Sequence, residues 1–305
     1  MNLQQTLRRE SGCVGIGLHS GRNVRLTLKP APADTGIVFR RLDRDHYEIP
    51  ATSEHIARLN HATCLAREGV RVETVEHLLA ALAVLGVDNA FVELDAPEVP
   101  IMDGSAAPFI YLIHEAGLRS LPRQRSYIKL TRPVAVESDG RQVAAYPSDS
   151  LRVSYTISFD HPLLRHQQRS FEIEESSFIE EIAPARTFGF LKDVEQMRQA
   201  GLALGGSLDN AVVLGEAGVL NNRLRFSDEF VRHKILDILG DLSLLGRPLL
   251  AHIVAVRAGH SLHSQLVRQI LASPECWEQV GYPEPREAVA AAVPSAKAPV
   301  TEPVS

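Results

Sequence analysis

The sequence predicts an α+β protein, and three observations carry that prediction. Strand-like and helix-like patterns occur in both halves of the chain, and in each half the strands come first and an apolar helix follows. The length of 305 residues suits about two domains at roughly 150 residues each. An internal echo links the halves: a helix ends at Gly86 and feeds a strand over 87–94, and another ends at Gly246 and feeds a strand over 249–256. His77 and Asp237 each stand nine positions before that glycine. If the halves are related folds packed face to face, those helices bring His77 and Asp237 to one shared site. Helix–glycine–strand is also common enough to recur by accident.

Composition narrows the class. Apolar residues make up 45% and charged residues 23%, which suits a globular protein with ample core. The net charge of −5 argues against a nucleic-acid-binding or anionic-membrane surface, although it leaves room for a local basic pocket. Cys13, Cys64 and Cys276 are widely spaced with no CxxC, as in a protein of a reducing compartment without a sulfur-ligated zinc knuckle. Residues 1–10 carry no apolar stretch of a secretory signal, and the longest apolar run, 78–87, is short of the roughly 18–20 residues that span a bilayer. A cytoplasmic protein without a transmembrane segment is expected.

Residues 1–73 read as strands and turns, with β-prone runs at 26–28 and 37–39 bounded by Gly21-Arg22-Asn23 and by residues 30–34. Gly12, Gly15, Gly17 and Gly21 crowd around His19-Ser20 without the G-x-G-x-x-G spacing of a dinucleotide loop, so turns are the default there. Thr74 is expected to open a helix whose apolar faces come from Leu78, Leu79, Ala81, Leu82 and Leu85, with Gly86 as its stop. Residues 87–94 form the next strand. Residues 102–105 read as a turn with an N-cap, leading to a helix that runs to about Gly117. The polar stretch 122–125 is expected to be the boundary between a first domain, 1–125, and a second, 126–283.

The second half again begins with strands, at 128–136, 142–146 and 151–159. Residues 160–210 are less regular, with a helix at 191–200 ended by Gly201. A strand near 211–214 precedes a long helix over 228–245. A strand at 249–256, a turn at Gly259 and a helix over 260–271 complete the half. Residues 284–305 are rich in Ala, Val, Pro and Glu with no period, and read as a disordered tail.

The chemistry concentrates in residues 232–241. His233 and Asp237 are four apart, so their side chains leave one helix face together. An imidazole and a carboxylate one turn apart supply two of the three protein ligands of a catalytic zinc site, and His77 offers the third. Three such ligands leave an open position where a water becomes acidic. Glu76 adjoins His77 and reaches the edge of such a site as a general base, although an acid in a helix's first turn also complements the helix dipole. Lys234 can place a cation near developing negative charge; a solvated helix lysine explains it equally well. Asp241 extends the ladder of His233 and Asp237 on a face otherwise apolar, where unpaired carboxylates are costly. His260, after the Gly259 turn, is its natural partner, with an imidazole pKa raised towards general-acid work. His263 is a weaker candidate for that place, and His19, His55, His61 and the remaining histidines read as structural or surface residues.

Several stretches together resemble a known family. Thr-Val-Glu-His-Leu-Leu-Ala-Ala-Leu (74–82), Ile-Met-Asp-Gly-Ser-Ala-Ala-Pro-Phe (101–109), Ala-Arg-Thr-Phe-Gly-Phe (185–190) and His-Lys-Ile-Leu-Asp (233–237) are similar to the UDP-3-O-acyl-N-acetylglucosamine deacetylases. So are residues 15–21 and 259–262, and the likeness runs from the N-terminus to about residue 280. The resemblance implies two domains of related α+β topology, each a sheet packed against helices and each with an insert, and an active site between them. It implies removal of acetate from a UDP-linked, 3-O-acylated N-acetylglucosamine, the committed step of lipid A biosynthesis in Gram-negative bacteria. It makes His77, His233 and Asp237 the Zn²⁺ ligands, Glu76 the general base, and His260, oriented by Asp241, the general acid or electrostatic partner. Thr187 and Lys234 would stabilise the oxyanion. Residues 160–210 would build an apolar passage for the acyl chain, walled by Phe188, Phe190, Leu191 and Leu202. Phe159 is placed at the nucleotide. Arg257 stands where a lysine is expected, which keeps the cation but not its geometry. Asp193 and Cys64 are possible pocket residues, and for Cys64 a plain buried thiol serves as well.

Other readings stay open at this point. Fe²⁺ suits the same ligands, and two His with one carboxylate also describe a ferrous oxygenase. A nucleotide-sugar binding protein with a structural metal is the non-enzymatic alternative. The substrate is the expected partner, with no nucleic acid, and the chain is expected to be monomeric.

Overall fold

The computed structural model describes residues 3–281 except 58, 60, 217 and 222. The expected tail at 284–305 lies outside the described residues. The chain is α+β, and its two halves repeat one arrangement of strands. In the first half the strands are β1 (Leu3–Leu7), β2 (Ser11–Ile16), β3 (Asn23–Pro30), β4 (Ile37–Arg41), β5 (Tyr47–Pro50), β6 (Leu65–Arg67), β7 (Val70–Val72), β8 (Ala90–Leu94) and β9 (Leu118–Gln124). Helix α1 (Glu76–Val84) precedes β8 and α2 (Ala107–Ala116) follows it. The main sheet has the order β2-β3-β8-β4-β5, with β8 antiparallel to β3 and parallel to β4.

The second half carries β10 (Tyr127–Leu130), β11 (Val134–Ser138), β12 (Arg141–Pro147), β13 (Arg152–Ile157), β14 (Gln167–Glu172), β15 (Phe188–Phe190), β16 (Val212–Leu214), β17 (Leu249–Val256) and β18 (Trp277–Val280). Its helices are the short α3 (Glu175–Ser177), α4 (Leu191–Gln199), α5 (Glu229–Leu242) and α6 (His260–Ala272). Here β17 is central, antiparallel to β12 and parallel to β13, with β11 and β14 as antiparallel outer partners. The path β11-β12-β17-β13-β14 matches β2-β3-β8-β4-β5 in order and direction. In each half a helix, α1 or α5, closes on a left-handed glycine before the central strand: Gly86 at φ 76° and Gly246 at φ 74°.

α1 and α5 pack against each other and lie within one apolar core drawn from both halves. Both are buried on nearly every side, α1 mostly through apolar residues and α5 with charged groups among its buried ones. They meet closely at one point. A Cβ at Gly240 would stand 2.0 Å from the Glu76 carbonyl oxygen, so only hydrogen fits there. The insert of the second half is stitched to first-half loops by backbone bonds, among them Gly205 N–H to Leu18 O at 3.0 Å and Thr187 N–H to Gly104 O at 2.8 Å. No helix among the described residues is long and apolar enough to cross a membrane.

Several boundaries differ from those the sequence suggests. Thr74 does not begin α1: it adopts φ 59°, its hydroxyl donates to Glu98, and the helix starts at Glu76. The strand expected over 87–94 begins at Ala90, because Asp88 and Asn89 donate to Gln5 O instead. Residues 122–124, in the polar stretch where the domain boundary is expected, belong to β9, which pairs with β1 and turns Leu121 inward. The run 128–136 is two strands, since Pro133 has no N–H and Thr131 and Arg132 donate to Cys276 O. β14 and β18 had no apolar alternation to betray them; β14 is polar and largely exposed.

Gly240→Ala tests the helix crossing. At an ordinary helix position that change stabilises by roughly 0.5–1 kcal/mol. Here overpacking should reverse the sign and destabilise by about 1–3 kcal/mol in urea unfolding. A variant as stable as the native chain would mean the helices do not touch at this residue.

Candidate active site

The crossing of α1 and α5 sets His77 from the first half beside His233 and Asp237 from the second. All three are buried. His77 Nε2 lies 3.6 Å and His233 Nε2 3.3 Å from Asp237 Oδ1, and the donor atoms of the trio all fall within 4.8 Å of one another. A tetrahedral ion with ligands at 2.0–2.1 Å separates them by about 3.3 Å, so the trio has the spacing of a shared metal site. The imidazole rings of His77 and His233 stand edge to face, 4.8 Å apart. His233 Nδ1 lies 3.0 Å from Ala185 O, a contact that protonates Nδ1 and leaves the Nε2 lone pair free to ligate. Burial lowers the His233 pKa to about 4, so the ring is neutral at physiological pH. Burial would raise Asp237, but the Lys234 ammonium and the neighbouring imidazoles hold it well below the ordinary carboxylate range. Two neutral nitrogens and one carboxylate suit a borderline divalent ion.

Lys234 gives its Nζ to Asp237 Oδ2 at 2.6 Å, leaving Oδ1 for the imidazoles. Despite its burial, the carboxylates around it raise its pKa, so it stays charged. Glu76, on the first turn of α1, is buried and its pKa is raised by that burial. His260 Nε2 lies 3.8 Å from Glu76 Oε1 and 3.9 Å from Asp237 Oδ2. Its Nδ1 lies 2.7 Å from Asp241 Oδ2. Burial would lower the His260 pKa, but the Asp241 charge and hydrogen bond outweigh it and lift the value to about 9. The i, i+4, i+8 ladder of α5 therefore splits in two: His233 and Asp237 turn to the trio, and Asp241 turns to His260.

Two residues of this cluster had no signal in the sequence. Thr63, on the loop before β6, donates its hydroxyl to Asp241 Oδ1 at 2.6 Å and its N–H to Glu76 Oε2 at 3.1 Å. A lone threonine in a polar loop offers neither period nor motif. Tyr155, a buried aromatic of β13, has its hydroxyl 3.0 Å from His263 Nε2. His263, the weaker candidate, also lies 2.8 Å from Asp241 Oδ2.

The segment 185–190 runs alongside the trio. Thr187 lies two residues beyond Ala185, and its carbonyl accepts from Val212 N–H. Phe188 stacks edge to face on Phe230 at 5.1 Å and tilts towards His233 at 6.4 Å. Phe159 joins this group, 6.0 Å from Phe188 and 5.8 Å from Phe190, so the structure sets it with the apolar residues of the insert. Leu191 is exposed and Asp193 half-buried, both in the first turn of α4. Half-buried Leu202 precedes Ala203, whose N–H donates to His19 Nδ1 at 3.4 Å. Arg257 is exposed, with a left-handed φ of 54°. Cys64 is buried beside Thr63, and its thiol donates to Leu65 O at 3.7 Å.

Residues 4–272 match the family model described as UDP-3-O-acyl N-acetylglycosamine deacetylase. The UDP-3-O-acyl-N-acetylglucosamine deacetylase of Pseudomonas entomophila (strain L48) is 50% identical over 281 residues, covering 91% of this chain and 93% of that protein. The protein of the same name from Myxococcus xanthus (strain DK1622) is 50% identical over 279 residues, 91% of this chain and 89% of its own length. That of Syntrophotalea carbinolica (strain DSM 2380 / NBRC 103641 / GraBd1) is 47% identical over 282 residues, 92% and 91% of the two chains.

Glu229 anchors the start of α5, the helix that carries His233 and Asp237. It is fully buried and accepts from Arg186 Nε at 2.8 Å and from the backbone N–H groups of Arg186 and Arg225. Burial would raise its pKa, but the Arg186 hydrogen bond and the two N–H donors bring it below its ordinary 4.5. A carboxylate depressed by folding stabilises the native state above its unfolded value, and that stabilisation is lost as pH falls through the folded value. Glu229→Gln should therefore lose about 3–5 kcal/mol at neutral pH, leaving the buried Arg186 charge without its carboxylate. In urea unfolding across a pH series, the gap between native and variant should narrow below about 4.5. A gap that does not change with pH would show that the charge of Glu229 contributes nothing.

Proposed function

The chain belongs to the UDP-3-O-acyl N-acetylglycosamine deacetylase family, and from that premise we propose that it is a zinc-dependent amidohydrolase. It removes the N-acetyl group of UDP-3-O-acyl-N-acetylglucosamine as acetate, the committed step of lipid A biosynthesis. The observation that carries this reading is the convergence of His77, His233 and Asp237 beside a buried carboxylate and a cationic imidazole. His77, His233 and Asp237 hold the metal, and Fe²⁺ fits the same ligands. A bound Zn²⁺ supplies Lewis acidity to a water and to the acetamide carbonyl.

Glu76 takes the proton of the attacking water, a task suited to a carboxylate whose burial makes it more basic. His260, charged and oriented by Asp241, delivers a proton to the departing amine. In this reading Lys234 and Thr187 stabilise the negative charge that develops on the carbonyl oxygen. Phe188 and Phe190 wall an apolar passage for the acyl chain, extended by Leu191 and Leu202, and Phe159, against both rings, stands where the passage meets the nucleotide. Asp193, Arg257 and Cys64 complete the substrate contacts of this reading. This reading takes the protein as a monomer, with the reaction in the cytoplasm. The matching strand paths support two domains, 1–125 and 126–283, with the site between them.

The test is acetate release from UDP-3-O-acyl-N-acetylglucosamine under anaerobic conditions, with and without a chelator and after zinc add-back. Release that stops with chelation and returns with zinc is expected. Binding of the UDP-sugar with no acetate formed would leave only a binding protein. Glu76→Gln should lower turnover by about 10²–10⁴-fold with metal content unchanged, as measured by metal analysis of the purified variant. Because His260 must be protonated, turnover should fall as pH rises towards about 9, and at lower pH once a cation adjoins it. His260→Gln should flatten that alkaline limb; an unchanged profile would remove His260 from proton delivery.

A further inference from the structure

We propose that Thr63 is a positioning residue that fastens the general base of one half to the general acid's carboxylate in the other; this inference rests on the deacetylase reading above. Thr63 is 1% exposed, and both of its donors are used at the centre of the site. Its backbone N–H goes to Glu76 Oε2 at 3.1 Å. Its hydroxyl is 2.6 Å from Asp241 Oδ1 and 3.2 Å from His260 Nδ1. A hydroxyl has a single proton, and the shorter contact to an acceptor-only carboxylate claims it.

The other carboxylate oxygen is held as firmly. Asp241 Oδ2 has two imidazole neighbours, His260 Nδ1 at 2.7 Å and His263 Nδ1 at 2.8 Å. His263 is in turn fixed by the Tyr155 hydroxyl, which donates to Ala258 O at 2.8 Å and lies 3.0 Å from His263 Nε2. Thr63, Tyr155, Asp241 and His263 are all buried, so no bulk water replaces a bond lost when the carboxylate turns. Asp241 is thus clamped at both ends, by the first half through Thr63 and by α6 through His263. The clamp sets the direction of the His260 ring, and the same threonine sets the direction of Glu76. Removing the hydroxyl frees Asp241 Oδ1 and misaims proton delivery, while the backbone bond to Glu76 survives any side-chain replacement.

The experiment compares steady-state acetate release by the metal-loaded native chain, Thr63→Val, Thr63→Ser and Asp241→Asn, and by Thr63→Val in the Asp241→Asn background. Thr63→Val should lose about 10–100-fold in kcat, the range for partners that orient a site, with KM and metal stoichiometry within about twofold of native. Thr63→Ser, which restores the hydroxyl, should recover most of that loss. In the Asp241→Asn background the Thr63→Val change should have almost no further effect, because both act through one carboxylate. Native kcat in Thr63→Val, a penalty that adds in full to that of Asp241→Asn, or no recovery with serine would overturn the inference. If Thr63→Val does not fold, Thr63→Ala takes its place under the same criteria. A native chain that releases no acetate fails the deacetylase reading itself, an outcome distinct from native activity with an indifferent Thr63.

Discussion

The structure depends on a backbone contact, the passage of α1 over α5 at Gly240. Side chains at ordinary helix crossings hold axes 8–10 Å apart. Here a missing Cβ lets the Glu76 carbonyl rest on the other helix, and that closeness brings Glu76 and His77 within reach of Asp237 and His260. Loosening the contact by a methyl group's thickness would carry His77 out of a tetrahedral ion's span while leaving the His233–Asp237 pair intact. The trio is therefore only as well defined as the packing of two apolar helices, and the shared core around them supplies that definition.

Placing so many ionisable groups in one dry site is costly unless each charge has a partner. The cluster meets that demand by sorting its carboxylates. Asp237 and Asp241 face Lys234, His233 and His260 and are held ionised, whereas at Glu76 burial outweighs the pull of His260 and His77. Groups pushed to opposite ends of the scale in one pocket are the pattern of divided acid and base duties. The same sorting separates the two histidines: His233, whose Nδ1 meets a carbonyl, is neutral, and His260, whose Nδ1 meets a carboxylate, is cationic. Burial pushes both rings towards the neutral form: it prevails at His233, where the Ala185 carbonyl only partly opposes it, and the Asp241 carboxylate overrides it at His260.

Much of this was legible in the residue order, and the rest was hidden for definable reasons. α5, β17 and α6 could be placed within a few residues because their apolar periods are long and Gly246 and Gly259 punctuate them. The i, i+4 pair of His233 and Asp237 follows from helix geometry alone. Thr74 misled because a threonine two places before a helix looks like a cap; its tie to Glu98 spans 24 positions and leaves no local trace. β14 was invisible because an exposed edge strand needs no apolar alternation, and β9 because it is short of apolar residues and pairs with a strand more than a hundred positions away. Thr63 belongs to the same class: its partner Asp241 lies 178 positions on. Periodicity reports what a segment buries, and it is silent on single polar bonds that close a distant circuit.

The likeness of the two halves explains why neither could work alone. α1 and α5 occupy equivalent places before the central strands β8 and β17, and His77 and Asp237 stand equally far from the glycines that end them. Packing two such units helix to helix places equivalent positions opposite each other, so His77 and Asp237 meet across the seam without any special loop. What differs between the halves is then what makes the site directional. The first half puts Glu76 next to His77 at a helix start, and the second sets His233, Lys234, Asp237 and Asp241 along successive turns of α5. The insert of the second half lies over loops 17–21 and 101–106 of the first, which gives the site an apolar side beside Phe188 and a polar side beside His260. A seam between near-equivalent helices is thus made unequal by one insert, which sets apolar rings on one side of the trio and charged groups on the other.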